Sequence, residues 1–285
     1  LRLFVFGLGY SARHFVAGLA DAEVVGTARE AGKAEKDDRV ELLAFDGARA
    51  DPAIQTHLSK SDALLISIPP GEGGDPVLTH FAAMIAGSRW RAIVYLSTVG
   101  VYGDHGGAWV DETSATRPSS ARNRARVDAE QGWLRLGREI GAPVHILRLA
   151  GIYGPRRNAL INLRDGRARR IVKPGQVFNR IHVADIAQAI GLAIEAGGAG
   201  EIWNVADDEP APPQDVIAFA AALLGLPAPP DEPFGSADLT PMARSFYSDN
   251  RRVSNAKLKR KLGFKPHYPT YREGLGALAA AGEGG

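Results

Sequence analysis

Six residues that read as a buried strand, Leu1–Phe6, run without a break into Gly7-Leu8-Gly9-Tyr10-Ser11-Ala12, and an amphipathic stretch over Ser11–Leu19 follows. A strand, a glycine turn and a helix in that order open a βαβ nucleotide-binding unit. Gly7 permits the tight turn, Gly9 lets the backbone approach a diphosphate, and the small Ala12 lets the helix pack closely with its amino end facing the phosphates. Ser11 adds a hydroxyl, and Tyr10 belongs to the same cofactor-facing set. Two glycines can equally serve a plain loop; the flanking strand and helix favour the nucleotide reading.

The rhythm that follows supports it. Apolar runs at Glu23–Ala28, Val40–Phe45, Ala63–Ile68, Ala92–Ser97 and Val144–Leu149 read as buried strands, while Pro76–Ala86 and Ala125–Leu136 carry apolar residues at helical spacing. Parallel strands joined by helices give a doubly wound α/β fold of Rossmann type. After about residue 155 the alternation breaks down into an Arg-rich segment from Arg156 to Lys173, a helix-like Val183–Ala196 and a strand-like Glu201–Ala206. Pro210–Pro213 and Pro227–Pro233 read as loops, and Ala277–Gly285 as a tail that frays. The expected organisation is a Rossmann domain over 1–155 with a return pass at 177–206, and a small substrate lobe from 156–176 and 207–285, with the active site expected in a cleft between them.

Arg29 directs the choice of cofactor. The second strand ends where NAD-binding folds place a carboxylate for the ribose 2′-hydroxyl, and Thr27-Ala28-Arg29 stands there instead. A guanidinium grips a 2′-phosphate through paired hydrogen bonds, whereas a carboxylate repels it. NADP(H) is therefore favoured, and the adjacent Glu30 keeps NAD(H) open. Asp46, after the third strand, is placed to accept from the adenine amino group, and Ser67 and Pro69, ending the fourth, to line the nicotinamide half.

Several classes fall away. A formal charge of +2 over 285 residues is too small to imply nucleic-acid binding. With 0 cysteines there is no disulfide and no thiolate chemistry, which suits a reducing cytoplasm. The chain shows no apolar run of spanning length, no signal-peptide pattern at the start, no HExxH, no clustered metal ligands, no GxxxxGK[ST] loop and no GxSxG elbow. A cytoplasmic protein acting on a small molecule, without membrane, metal or nucleic-acid partner, is the expectation.

Three further motifs occur in order: Ser97-Thr98-Val99-Gly100-Val101-Tyr102-Gly103, then Leu147-Arg148-Leu149-Ala150-Gly151-Ile152-Tyr153-Gly154-Pro155, then Arg180-Ile181-His182-Val183-Ala184-Asp185-Ile186-Ala187. Together they resemble the extended short-chain dehydrogenase/reductase superfamily, also called the NAD-dependent epimerase/dehydratase family. Leu258–Gly263 and Tyr271–Leu275 are similar to its C-terminal lobe, so the resemblance covers nearly the whole chain. It implies that Thr98 hydrogen-bonds the reacting oxygen, while the Tyr of a YxxxK pair exchanges the proton and the Lys lowers the Tyr pKa. Counting back from Ala129-Glu130 puts Arg122 at the Tyr position and Arg126 at the Lys position. An arginine stays protonated and cannot shuttle a proton, so the chain resembles the atypical members that lack the tyrosine.

Tyr102, Tyr153 and His182 offer three other proton donors, although the resemblance gives both Tyr-Gly pairs an architectural part and has His182 dock the return strand. Arg156 and Arg157, after the Tyr-Gly-Pro turn, are candidates for holding an anionic substrate together with Tyr153 and His182; the other basic residues up to Lys173 read as a solvated face. Gly71-Glu72-Gly73-Gly74 and Asp104-His105-Gly106-Gly107 look like mobile loops. Two functions compete: an NADP(H)-dependent oxidoreductase or epimerase-like enzyme on a sugar-type or anionic small molecule, and a non-catalytic NADP(H)-sensing or scaffold protein. By analogy the chain is a monomer or a homodimer.

Overall fold

A computed structural model describes residues 1–33 and 39–284. Seven strands form one sheet: β1 (Arg2–Phe6), β2 (Glu23–Ala28), β3 (Val40–Ala44), β4 (Ala63–Ile66), β5 (Ala92–Thr98), β6 (Val144–Leu149) and β7 (Ile202–Val205), in the order β7-β6-β5-β4-β1-β2-β3. The β1 pairings with β2 and β4, and the β2–β3 and β4–β5 pairings, are parallel. Helices that fall between these strands along the chain include α1 (Tyr10–Ala17), α2 (Ala53–Lys60), α3 (Pro76–Ala86), α4 (Ala121–Ile140) and α5 (Val183–Glu195). The Rossmann-type order has its reversal between β1 and β4, and the glycine turn follows β1 at that switch point.

Two compact units divide the chain, one from 1–101, 120–148 and 186–203, the other from 102–119, 149–185 and 204–285. The segment 102–119, which the sequence spacing leaves with the nucleotide domain, clusters with the second unit. Within the first unit, Phe6, Phe45 and Phe81 pack ring against ring at 5.1–5.6 Å beside Phe4, Ile54, Leu58, Tyr95 and Trp133. Local chemistry sets the helix limits. Asp75 caps α3 by accepting from the backbone N–H of Val77 and Leu78, and Pro76 takes the first turn. Ser120 caps α4 by accepting from Asn123, and Gly141 ends it in the left-handed region.

The second unit is built from short parallel pairs: Gly151–Tyr153 with Arg180–His182, Arg170–Val172 with Asp231–Pro233, and Trp109–Val110 with Arg252–Val253. Tyr153, Leu160, Val216, Tyr271 and Leu275 form its core. Two sequence readings are corrected here. Asp231–Pro233, expected as loop, is a strand because its partner Arg170–Val172 supplies the ladder. The tail expected to fray is helical through Ala280 with Leu278 buried, and Glu283 beyond it accepts from the Arg156 N–H at 3.1 Å; Gly285 lies outside the described residues. No helix among the described residues is long and apolar enough to cross a membrane.

Candidate functional site

The turn after β1 is held by β2. Gly7 N–H donates to the Thr27 hydroxyl at 2.9 Å, Leu8 N–H to the Thr27 carbonyl at 2.8 Å, and Gly9 N–H to the Gly7 carbonyl at 2.8 Å. Gly7 has φ +87°, and a Cβ there would lie 2.4 Å from the Ile68 methyl carbon Cγ2, so only glycine fits. Gly9, the residue capping α1, is the reverse case. Its φ of −93° suits any residue, and a Cβ would meet nothing within 4 Å. Open space therefore stands over the backbone at the amino end of α1, where a diphosphate would lie. Ser11 and Ala12 are buried in the first turn of α1, while Tyr10 is half-buried with its ring 4.8 Å from that of His14. The residues present fit a dinucleotide.

Around this turn, Arg29 is exposed at the end of β2, with no hydrogen bond or ion pair to it among the described residues. Asp46 is exposed; its Oδ1 accepts from the N–H groups of Ala48 and Arg49 at 2.9 and 2.7 Å, and those bonds hold its carboxyl below the usual range. Ser67 N–H donates to the Phe6 carbonyl at 2.8 Å, which fixes the end of β4 beside β1, and Pro69 is exposed.

At the end of β5, Thr98 is half-buried and its Oγ1 accepts from Gly100 N–H at 3.0 Å. The hydroxyl hydrogen has no acceptor among the described residues and remains to donate. Arg122 is exposed on α4. Arg126, one turn on, is committed to β5: its Nη1 donates to the Leu96 carbonyl at 2.7 Å and to the Tyr95 hydroxyl at 3.1 Å. Asn123 lies between these two arginines, buried against Gly100. Nothing in the sequence reading singles it out, because a lone Asn carries no motif.

The other candidates fall in the second unit and are held in its packing. Tyr102 is fully buried, with its hydroxyl donating to Asn204 Oδ1 at 2.8 Å. Tyr153 is buried, its hydroxyl 3.4 Å from the Thr270 carbonyl, and burial raises its pKa further from neutrality, with Asp207 adding to the shift. His182 packs edge-on to Tyr153 with ring centroids 5.1 Å apart and lies 4.1 Å from Tyr268, and its Nδ1 accepts from Ala184 N–H. All three side chains are buried in the packing of this unit.

Arg156 is exposed at φ +61°, in a turn closed by reciprocal Gly154–Arg157 hydrogen bonds, and Arg157 is exposed beside it. Arg164 and Arg167 pair with Asp165 and Arg169 with Glu232 on an exposed face, as expected, whereas Arg170, paired with Asp231, and Lys173, donating to the Tyr247 carbonyl, are half-buried and depart from that expectation. Of the two loops expected to be mobile, the first is closed on itself and the second is anchored to Asn250. Gly71 and Gly74 exchange backbone hydrogen bonds, and Asp104 accepts from Asn250 N–H while His105 and Gly107 donate to the Asn250 carbonyl.

Comparison with known proteins gives the lineage. The profile of the NAD dependent epimerase/dehydratase family matches residues 76–206. Protein YeeZ of Escherichia coli (strain K12) is 30% identical over 223 residues, which cover 74% of this chain and 73% of that protein. A functionally unknown conserved protein from Silicibacter pomeroyi DSS shares 48% identity and the same architecture, with a TM-score of 0.90 and 99% of both chains covered. UDP-glucuronic acid 4-epimerase from Bacillus cereus, in complex with NAD, shares the fold at 19% identity, with a TM-score of 0.77 over 97% of this chain and 95% of that one. On these matches, this chain belongs to the NAD dependent epimerase/dehydratase family, consistent with an atypical member.

Proposed function

We propose that this protein binds NADP(H) on the turn from Gly7 to Ala12 and works as an oxidoreductase or epimerase-like enzyme on a sugar-type or anionic small molecule. The observation that carries the reading is the open space over Gly9 at the head of α1, beside a Gly7 that no other residue can replace. Arg29, exposed at the end of β2, favours the 2′-phosphate, while the adjacent Glu30 keeps NAD(H) open. The similar fold of an NAD-bound epimerase supports a nicotinamide group. When bound, that group supplies two-electron exchange with a carbon–oxygen centre. Thr98 has a hydroxyl hydrogen to donate and orients the substrate oxygen.

A second reading, a protein that holds NADP(H) without turnover, is favoured by one observation: Arg126, at the position where family members carry lysine, is bonded to the Leu96 carbonyl and to the hydroxyl of Tyr95, which is fully buried in β5 and not open to a substrate.

Fluorescence titration with NADPH and NADH, followed by a screen of sugar nucleotides and aldehydes for NADPH consumption, tests both. NADPH should bind more tightly than NADH, and Arg29→Ala should remove that preference. Unchanged selectivity in the variant ends the 2′-phosphate role; no binding of either nucleotide ends both readings. Uptake of NADPH with turnover that Thr98→Ala reduces supports the enzyme, and uptake with no turnover across the screen supports the second reading.

A further inference from the structure

Asn123 occupies the third position of α4 and is 8% exposed. Its backbone N–H is used by the Ser120 cap, yet its side-chain amide has no hydrogen-bond partner among the described residues. Neither amide atom is sealed from solvent. The side chain of a buried asparagine normally bonds to nearby backbone. This one does not.

The chain makes room for it. A Cβ on Gly100 would stand 2.9 Å from Asn123 Oδ1 and 3.0 Å from Nδ2. Gly100 is absent from the positive-φ residues, so its backbone does not call for glycine; the amide above it does. Gly100 also donates its N–H to Thr98 Oγ1 at 3.0 Å. One glycine therefore carries the candidate substrate hydroxyl on one side and an unpartnered amide on the other.

We propose that Asn123 is a ligand-binding residue, whose amide pairs with a polar oxygen of the small molecule that Thr98 orients. It stands one residue after the position where family members carry tyrosine. An amide donates through Nδ2 and accepts through Oδ1 but exchanges no proton, so it holds a carbonyl or hydroxy-carbonyl group without delivering a proton to it. The inference rests on the role of Thr98 given under Proposed function and adds the chemical class of ligand.

Calorimetric titration of the full chain, saturated with NADPH, with glyceraldehyde, pyruvate and glucuronate as probes tests it in the wild type, Asn123→Ala and Asn123→Asp. The wild type should bind at least one probe, and Asn123→Ala should bind it about tenfold more weakly, the loss of one hydrogen bond, with NADPH affinity and melting temperature unchanged. Asn123→Asp keeps the side-chain size, so a misfolded Ala variant does not end the test. Only a protonated Asp can donate, so probe affinity in this variant should climb as pH falls through the carboxylate range, a limb the wild type lacks.

Wild-type affinity in Asn123→Ala, no such limb in Asn123→Asp, or no probe binding to the wild type overturns the inference. Failure of the wild type to take up NADPH brings down the cofactor reading instead, and the same titrations without nucleotide then decide Asn123.

Discussion

Arg126 Nη1 lies 2.7 Å from the Leu96 carbonyl and 3.1 Å from the Tyr95 hydroxyl, tying α4 to the second half of β5. The guanidinium also lies over the Tyr95 ring, 5.7 Å from its centroid. Burial pushes the Tyr95 pKa up, against the pull of Arg126, so this hydroxyl stays neutral and serves as a structural acceptor. Arg126→Ala should leave a carbonyl and a hydroxyl short of a donor and lower stability by about 1–3 kcal/mol. Arg126→Lys, a point charge in place of a planar fork, should recover only part of it. Thermal denaturation of the two variants decides, and an Ala variant as stable as wild type removes the role.

Gly7 and Gly9 should respond in opposite ways. At Gly7 a side chain meets Ile68 and an unfavourable φ, so Gly7→Ala should cost stability, by roughly 1–3 kcal/mol, along with cofactor binding. At Gly9 a side chain enters open space, so Gly9→Val should melt close to wild type while NADPH binding falls sharply. Melting curves and fluorescence titration on the same samples separate the two. A Gly9→Val variant that binds NADPH normally means the diphosphate does not lie over Gly9.

The first unit was readable because each of its strands is a short apolar run, and β2, α3 and β6 begin and end where that pattern does. Helix α2 escaped notice: its buried face is only Ile54 and Leu58, four apart on an eight-residue helix, too little periodicity to stand out from a loop. In the second unit the strands are two or three residues long, and partners such as Arg170–Val172 and Asp231–Pro233 are far apart in sequence, so no local pattern marks them. The glycine turn and Thr98 announce themselves by motif. Asn123 does not, since what distinguishes it is an unmet hydrogen bond and the space left by Gly100, and both exist only once α4 packs on β5.

Glu130 and Arg148 form a buried ion pair at 2.7 Å, and Ser97 donates to the same carboxylate. Alanine at 130 would strand a guanidinium among α4, β5 and β6, at a cost of about 3–5 kcal/mol. Glu130→Ala should therefore be largely unfolded or melt far below wild type, and Arg148→Met together with Glu130→Leu should recover much of the loss by removing both charges. Circular dichroism melts measure this. A double variant no better than the single one would mean that shape at this site matters more than charge.

Asp207 gives the second unit a dependence on pH. It is 2% exposed; Oδ1 accepts from Glu209 N–H at 3.3 Å, and Oδ2 is sealed without a partner. Arg180 forms no ion pair with it among the described residues, and its Nη1 donates instead to the carbonyls of Phe178 and Ala211 at 2.9 and 3.1 Å. Burial, with Asp208 and Glu209 adding and Arg180 opposing, pushes the carboxyl up to about 8 from 3.8. The folded chain thus keeps a proton that the unfolded chain loses near 3.8, so this contribution is complete below that pH and is lost as pH rises through about 8. Between about pH 7 and pH 9 the loss should be about 1 kcal/mol. Asp207→Asn, which cannot ionise, should flatten that part of the curve and be the more stable protein at the alkaline end. Urea denaturation across the range checks it, and parallel curves for the two proteins would show that Asp207 is already ionised in the fold.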